Sequence, residues 1–275
     1  MIKKSDFAQI DKEIKDCLQS TLEDIKTNSL HNYIIFIADG EYKPEYEDST
    51  TISNPYVIDN RIDFYKDLTR FEFLVNFLKN YYSFPPDITE TDDNTYRISI
   101  ELMIYTHVWE SKSFLKKLYR LSHISNGEEY NWDVNVPDMS KHDFIRNDIR
   151  ATFEKKNNCL AEIIKKGFHT SLRNAFAHSE YSIDTFNGNK RIWLDTYTGK
   201  PWDIQEISFD DWSRRFVYTA LLSYHLLNIT HINRTNLITD LVTDTFTIKH
   251  PNKDGSISDR KILYRKEPDA FNFVR

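Results

Sequence analysis

The chain has 275 residues, 28% charged and 40% hydrophobic, a balance that excludes a disordered polymer and allows a sizeable buried core. Its 36 Lys and Arg stand against 42 Asp and Glu, a net charge of −6, so no chain-wide basic field gathers polyanions and any nucleic-acid site must be local. Six glycines are few for this length and argue for a helix-rich chain over a glycine-looped, nucleotide-cradling one.

Residues 6–28 place Ile10, Ile14, Cys17, Leu18, Leu22 and Ile25 at three- and four-residue intervals, the pattern of an amphipathic helix. The run Tyr33-Ile34-Ile35-Phe36-Ile37-Ala38, stopped by Asp39-Gly40, is short, β-branched and aromatic, and reads as a buried strand. Polar residues with prolines at 41–60 read as loop. Residues 63–82 are helical again, with Leu68, Phe71, Leu74 and Phe77 on one side and Pro85-Pro86 just beyond. The acidic patch Glu90–Asn94 marks a surface connection. A long apolar-periodic segment covers 96–124, and two further helices cover 141–155 and 158–179. Tyr181–Phe186 and Lys190–Thr196, joined through Asn187-Gly188, form a hairpin, because Asn-Gly supplies two positive-φ positions. Ser208 with Asp210 and Asp211 opens a helix that carries Trp212, Phe216, Ala220, Tyr224 and Leu227. Residues 241–264, turning at Asp254-Gly255, form a second hairpin. These elements divide the chain into an N-terminal helical extension with one strand (1–95), a helical domain (96–235) and a C-terminal β tail (236–275).

No run approaches the ~18 apolar residues of a membrane span, and the charged start is no secretion signal, so a cytoplasmic location is expected. Cys17 and Cys159 form no spaced pair and read as reduced, incidental thiols. Asn228-Ile229-Thr230 and Asn233-Arg234-Thr235 fit a glycosylation pattern by chance, since both fall within a helix.

The most specific stretch is Ser171-Leu172-Arg173-Asn174-Ala175-Phe176-Ala177-His178-Ser179-Glu180-Tyr181. An arginine can grip a phosphate and an imidazole can move a proton near neutral pH, which together suit metal-free RNA cleavage. On one straight helix, positions five apart differ by about 140°. Arg173 and His178 would therefore not share a face, whereas Asn174 and His178 would. Local charge leans positive, with ten Lys and Arg against seven Asp and Glu between Lys141 and Asp195.

Arg173, the polar neighbour Asn174, and His178 after four intervening residues resemble the motif of the HEPN family, over about residues 96–235. The resemblance implies a mainly α fold: a HEPN-like four-helix bundle with a β-hairpin insertion, here with extra N-terminal helices and a small C-terminal β-hairpin. It implies a homodimer with the site between protomers, and a metal-independent endoribonuclease of the toxin or anti-phage type with no cofactor. RNA would be the substrate, and an antitoxin or other regulatory protein a partner. Catalysis would fall to Arg173, His178 and Asn174. Other members are non-catalytic modules that dimerise or bind a partner or a nucleotide.

Lys165, Lys166, Lys190 and Arg191 are the nearest basic residues that could follow an RNA backbone. Tyr181, Phe186, Trp193, Tyr197 and Trp202 could stack on bases or simply pack on the bundle. A plainer reading stands beside the catalytic one: Arg173 pairs with a carboxylate such as Glu180 or Glu162, and His178 closes a helix before the hairpin. His225 and His231 read as core or flank residues, His107 and Glu110 lack a third zinc ligand, and Gly199-Lys200-Pro201 lacks the rest of a phosphate loop, so no metal site is expected.

Overall fold

The computed structural model describes residues 1–50, 54–195 and 202–274. Helix α1 (Lys4–Asn28) runs through the expected amphipathic stretch and buries Ile10, Ile14, Leu18, Leu22 and Ile25. The expected strand at 33–38 is instead helix α2 (Leu30–Ile37), opened by the Ser29 side chain, which accepts from the Asn32 N–H. A strand suits a run buried on two faces. Here all residues from Asn32 to Ile37 are buried, and a helix satisfies its own backbone donors in that setting while β propensity yields to context.

The segment read as loop carries β1 (Glu41–Tyr42) paired antiparallel with β2 (Tyr56–Val57). Helix α3 (Arg61–Tyr81) follows. The 96–124 segment is two helices, α4 (Thr95–Glu110) and α5 (Lys112–Ser125), divided at Ser111, whose hydroxyl accepts from the Phe114 N–H and starts the second. Beyond a loop, α6 (Lys141–Asp143), a π-helical stretch (Phe144–Arg150) and α7 (Ala151–Glu154) form one irregular run. The 158–179 helix is also divided, into α8 (Cys159–Gly167) and α9 (Thr170–Ala177).

The first hairpin is present as β3 (Tyr181–Asp184) and β4 (Arg191–Leu194), with a third strand, β5 (Glu206–Ser208), that the sequence pattern did not reveal. Asn187 and Gly188 do take positive φ, 53° and 81°. Pairing nevertheless ends at Asp184 and Arg191, so the turn is wider than two residues. Ser208 caps α10 (Phe209–Leu241) as expected, its hydroxyl accepting from the Asp211 N–H. The C-terminal hairpin, β6 (Thr245–Pro251) and β7 (Ile257–Arg265), gains a third strand, β8 (Ala270–Phe273).

The molecule is thus mainly helical with small antiparallel sheets. The 33-residue α10, about 50 Å long by its rise per residue, is the central rod. It packs against α1, α8, α4, α2 and α3, and one buried apolar cluster extends from Ile2 through Phe271. Asn233 is buried within α10, which suits chance occurrence of the glycosylation pattern.

Cys17 and Cys159 are bonded to each other as a disulfide, which overturns their reading as reduced, unpaired thiols. Packing of α1 on α8 brings residues 142 apart in sequence to a Cα separation of 6.0 Å, a proximity that no local spacing could reveal. No described helix is long and apolar enough to cross a membrane.

Candidate functional site

Helix α9 begins where the chain breaks at Phe168-His169. The His169 ring nitrogen Nδ1 accepts from the Ser171 N–H (3.2 Å), capping the new helix. The Tyr105 hydroxyl accepts from the His169 backbone N–H (3.0 Å), and Arg215 donates to the carbonyls of Phe168 (3.1 Å) and Lys165 (3.3 Å). Burial, with Arg215 adding to it, pushes the His169 imidazole down to about 4, so it stays neutral and able to accept. The break thus has three named supports, one from each of α4, α10 and α9's own first turn. Underneath, Phe176 meets Tyr105 and Trp212 edge-on at centroid distances of 5.9 and 5.0 Å.

Arg173 sits half-buried on α9. Its Nη1 donates to Asn174 Oδ1 (2.7 Å), and its Nη2 forms an ion pair with Glu110 at the C-terminal end of α4. The other Glu110 oxygen, Oε2, meets Lys141 Nζ at 3.1 Å. The carboxylate partner is therefore Glu110, not the Glu180 or Glu162 that the sequence suggested. The Asn174 side-chain oxygen thus helps to orient the arginine.

His178 lies one residue past the last helical position. Its backbone N–H donates to the carbonyls of Asn174 and Phe176, and its side chain is exposed. The helix closes by the Schellman pattern: the Glu180 N–H donates to Ala175 O (2.8 Å), the Ser179 N–H to Phe176 O (3.3 Å), and Ser179 adopts φ 58°. The straight-helix geometry assumed for Arg173 and His178 thus ends before the histidine. One eight-residue helix carries an oriented guanidinium in its middle and an exposed imidazole at its end.

The basic residues proposed for RNA each have an acidic partner. Lys165 lies 3.5 Å from Glu162, Lys166 2.6 Å from Glu13, and Lys190 2.8 Å from Asp93, while Arg191 pairs with Glu206. Tyr181 packs edge-on against Phe176 at 5.2 Å. Alternation in β4 turns Ile192 and Leu194 inward and leaves Arg191 and Trp193 on the outer face, with Phe186 81% exposed at the turn. Tyr197 and Gly199-Lys200-Pro201 lie outside the described residues.

His225 Nε2 stands 2.7 Å from Asp11 and His231 Nδ1 2.5 Å from Asp269, ordinary polar pairs on α10. Among the described residues, no group of three or more His, Cys, Asp or Glu is placed to hold a metal ion.

Glu110, Tyr105 and Arg215 meet α9 and its cap from other helices, and Lys141 meets Glu110 in turn, so local spacing does not reveal them as parts of the site. Locally the sequence shows Glu110 only beside His107, a pair that lacks a third zinc ligand. Comparisons with protein-family models, with curated proteins and with solved structures each return no match.

Proposed function

We propose that this chain is a HEPN-type, metal-independent endoribonuclease acting as a toxin or anti-phage effector, with Arg173, Asn174 and His178 as its working residues. The observation that carries this reading is the division of α9 into an arginine held by Glu110 and Asn174 and a solvent-facing histidine at the helix end. Positioning an arginine before substrate arrives removes reorganisation from the reaction itself.

In the proposed reaction the ribose 2′-hydroxyl attacks the adjacent phosphorus and the P–O5′ bond breaks. His178 exchanges the proton that leaves the 2′-oxygen or joins the 5′-oxygen, and Arg173 holds the non-bridging oxygens as their charge builds. The products are a 2′,3′-cyclic phosphate and a 5′-hydroxyl, and DNA is excluded because it lacks the attacking hydroxyl. The outer face of the first hairpin, with Trp193 and Phe186, supplies aromatic surface for an unpaired strand. A homodimer belongs to the proposal, and the exposed Phe73, Tyr96 and Met103 beside an apolar groove between α3 and α4 favour association.

The test is cleavage of single-stranded RNA in EDTA with analysis of the product ends. Arg173→Ala and His178→Ala should each lose about 10²–10³-fold in rate while melting like the wild type. Glu110→Gln, which removes the ion pair but keeps the shape, should lose about tenfold in kcat with little change in KM. Wild-type inactivity on diverse RNAs would reject the reading.

One observation favours a second reading. The Arg173 guanidinium is committed to Glu110, as in a structural ion pair, which suits a non-catalytic HEPN module that binds a partner. In that case Arg173→Ala would lower stability and leave RNA untouched.

A further inference from the structure

A cleft of about 770 Å³ opens between α5, α3 and α10, within the ~300–1,000 Å³ typical of small-molecule sites. Seven Lys and Arg side chains line it against five carboxylates, in a chain whose overall charge is −6. A local reversal of sign in an acidic protein concentrates field in one place.

The reversal originates on α5, which turns Lys112, Lys116 and Arg120 to the cleft at successive four-residue steps, with Lys117 beside them. Like charges at this spacing oppose helix formation by a few tenths of a kcal/mol per pair, so helix stability does not explain them. Glu41 is shared between Lys116 (2.5 Å) and Lys43 (2.8 Å). Burial would raise the Glu41 carboxyl, but these lysines and Arg120 hold it below the usual range. Arg120 itself donates to the neutral carbonyls of Asn131 and Trp132, both at 3.0 Å. Lys112 meets Asp138, which is 85% exposed on its side-chain surface.

At the floor, one buried arginine ties three aspartates together. Buried Arg234 meets Asp59 (2.5 Å) and Asp39 (3.4 Å) and donates to the Asp269 carbonyl (2.8 Å). These three aspartates take φ of 42°, 47° and 45°, the left-handed region that aspartate enters more readily than most residues. Asp59 also accepts from the Phe271 N–H (2.6 Å), Asp39 from Lys117 (2.6 Å), and Asp269 from Tyr264 (2.7 Å). Each floor carboxylate thus already accepts from at least one donor. Leu68, Phe71 and Leu227 supply an apolar side wall, with Phe71 stacked on Tyr224 at 5.5 Å.

The geometry points to a binding site for a small phosphate monoester carried on a ring, with the phosphate on the α5 cations Lys112 and Lys116 and the ring against Leu68, Phe71 and Leu227. The cleft meets the α9 site at Glu110, which lines it and pairs with Arg173, but Lys112 and Lys116 take no part in the proposed cleavage, so the proposal stands whether or not the chain cleaves RNA.

Isothermal titration of the full chain with AMP, ribose 5-phosphate, adenosine and inorganic phosphate tests it. AMP or ribose 5-phosphate should bind with a Kd below about 1 mM, at least tenfold tighter than adenosine or inorganic phosphate. AMP binding far more tightly identifies a nucleoside phosphate, and equal binding of both esters a sugar phosphate. Lys112→Glu, on an exposed side chain that leaves the core untouched, and Lys116→Ala should each weaken binding tenfold or more. No ester binding at several millimolar, adenosine or inorganic phosphate binding equally well, or unchanged affinity in both lysine variants would overturn the proposal.

Discussion

Ser179 carries the αL position that closes α9, where glycine is the usual occupant. A non-glycine residue there costs about 1–2 kcal/mol, while glycine adds roughly 0.4–1 kcal/mol of unfolded-state entropy. Ser179→Gly should therefore stabilise the fold by less than about 1 kcal/mol, raising Tm by about 2 °C. An unchanged or lower Tm would show that the serine side chain contributes something the backbone geometry does not reveal. The motif residues themselves were legible because arginine, asparagine and histidine lie within six positions. Glu110 was not, because its ion pair with Arg173 exists only once α4 and α9 lie side by side.

At the scale of elements, α4 is tied to α10 through charge as well as apolar contact. Arg97 and Glu101, one turn apart, are both fully buried and ion-paired. Glu101 also accepts from the Trp212 Nε1–H (2.9 Å) and the Tyr82 hydroxyl (2.5 Å). Burial pushes the Glu101 carboxyl up, and Arg97 with these two donors opposes that push. Removing one partner strands the other charge in the core, so Glu101→Ala should cost about 3–5 kcal/mol in denaturant melts. Replacing the pair together, as Arg97→Met with Glu101→Leu, should cost clearly less. If the single and double replacements cost the same, the pair is not coupled. Trp212 is also a ring neighbour of Phe176, so this buried network underlies α9 without touching it through charge.

Across the whole molecule, the disulfide closes a long loop by joining α1 to the start of α8, the helix that leads into α9. A cross-link of this kind restricts the unfolded chain and typically contributes about 2–4 kcal/mol. Cys17→Ser combined with Cys159→Ser should lower stability by that amount in non-reducing buffer, with the wild type falling to match it when reduced. Thiol titration of the denatured, unreduced wild type should find no free cysteine, and two titratable thiols would refute the bond.

What the chain determined on its own was local. The apolar period marked α1, α3 and α10, Ser208 with Asp210 and Asp211 marked where α10 starts, and strand alternation marked both hairpins. These features depend on residues a few positions apart, so short-range chemistry decides them. Tertiary structure alone decided that 33–37 is helical, that Ser111 and His169 divide longer helices, that Cys17 finds Cys159, and that Glu110 holds Arg173. Each of these depends on partners far along the chain. Complete burial selects between helix and strand, and a bond or an ion pair forms only when packing has already brought its two ends together.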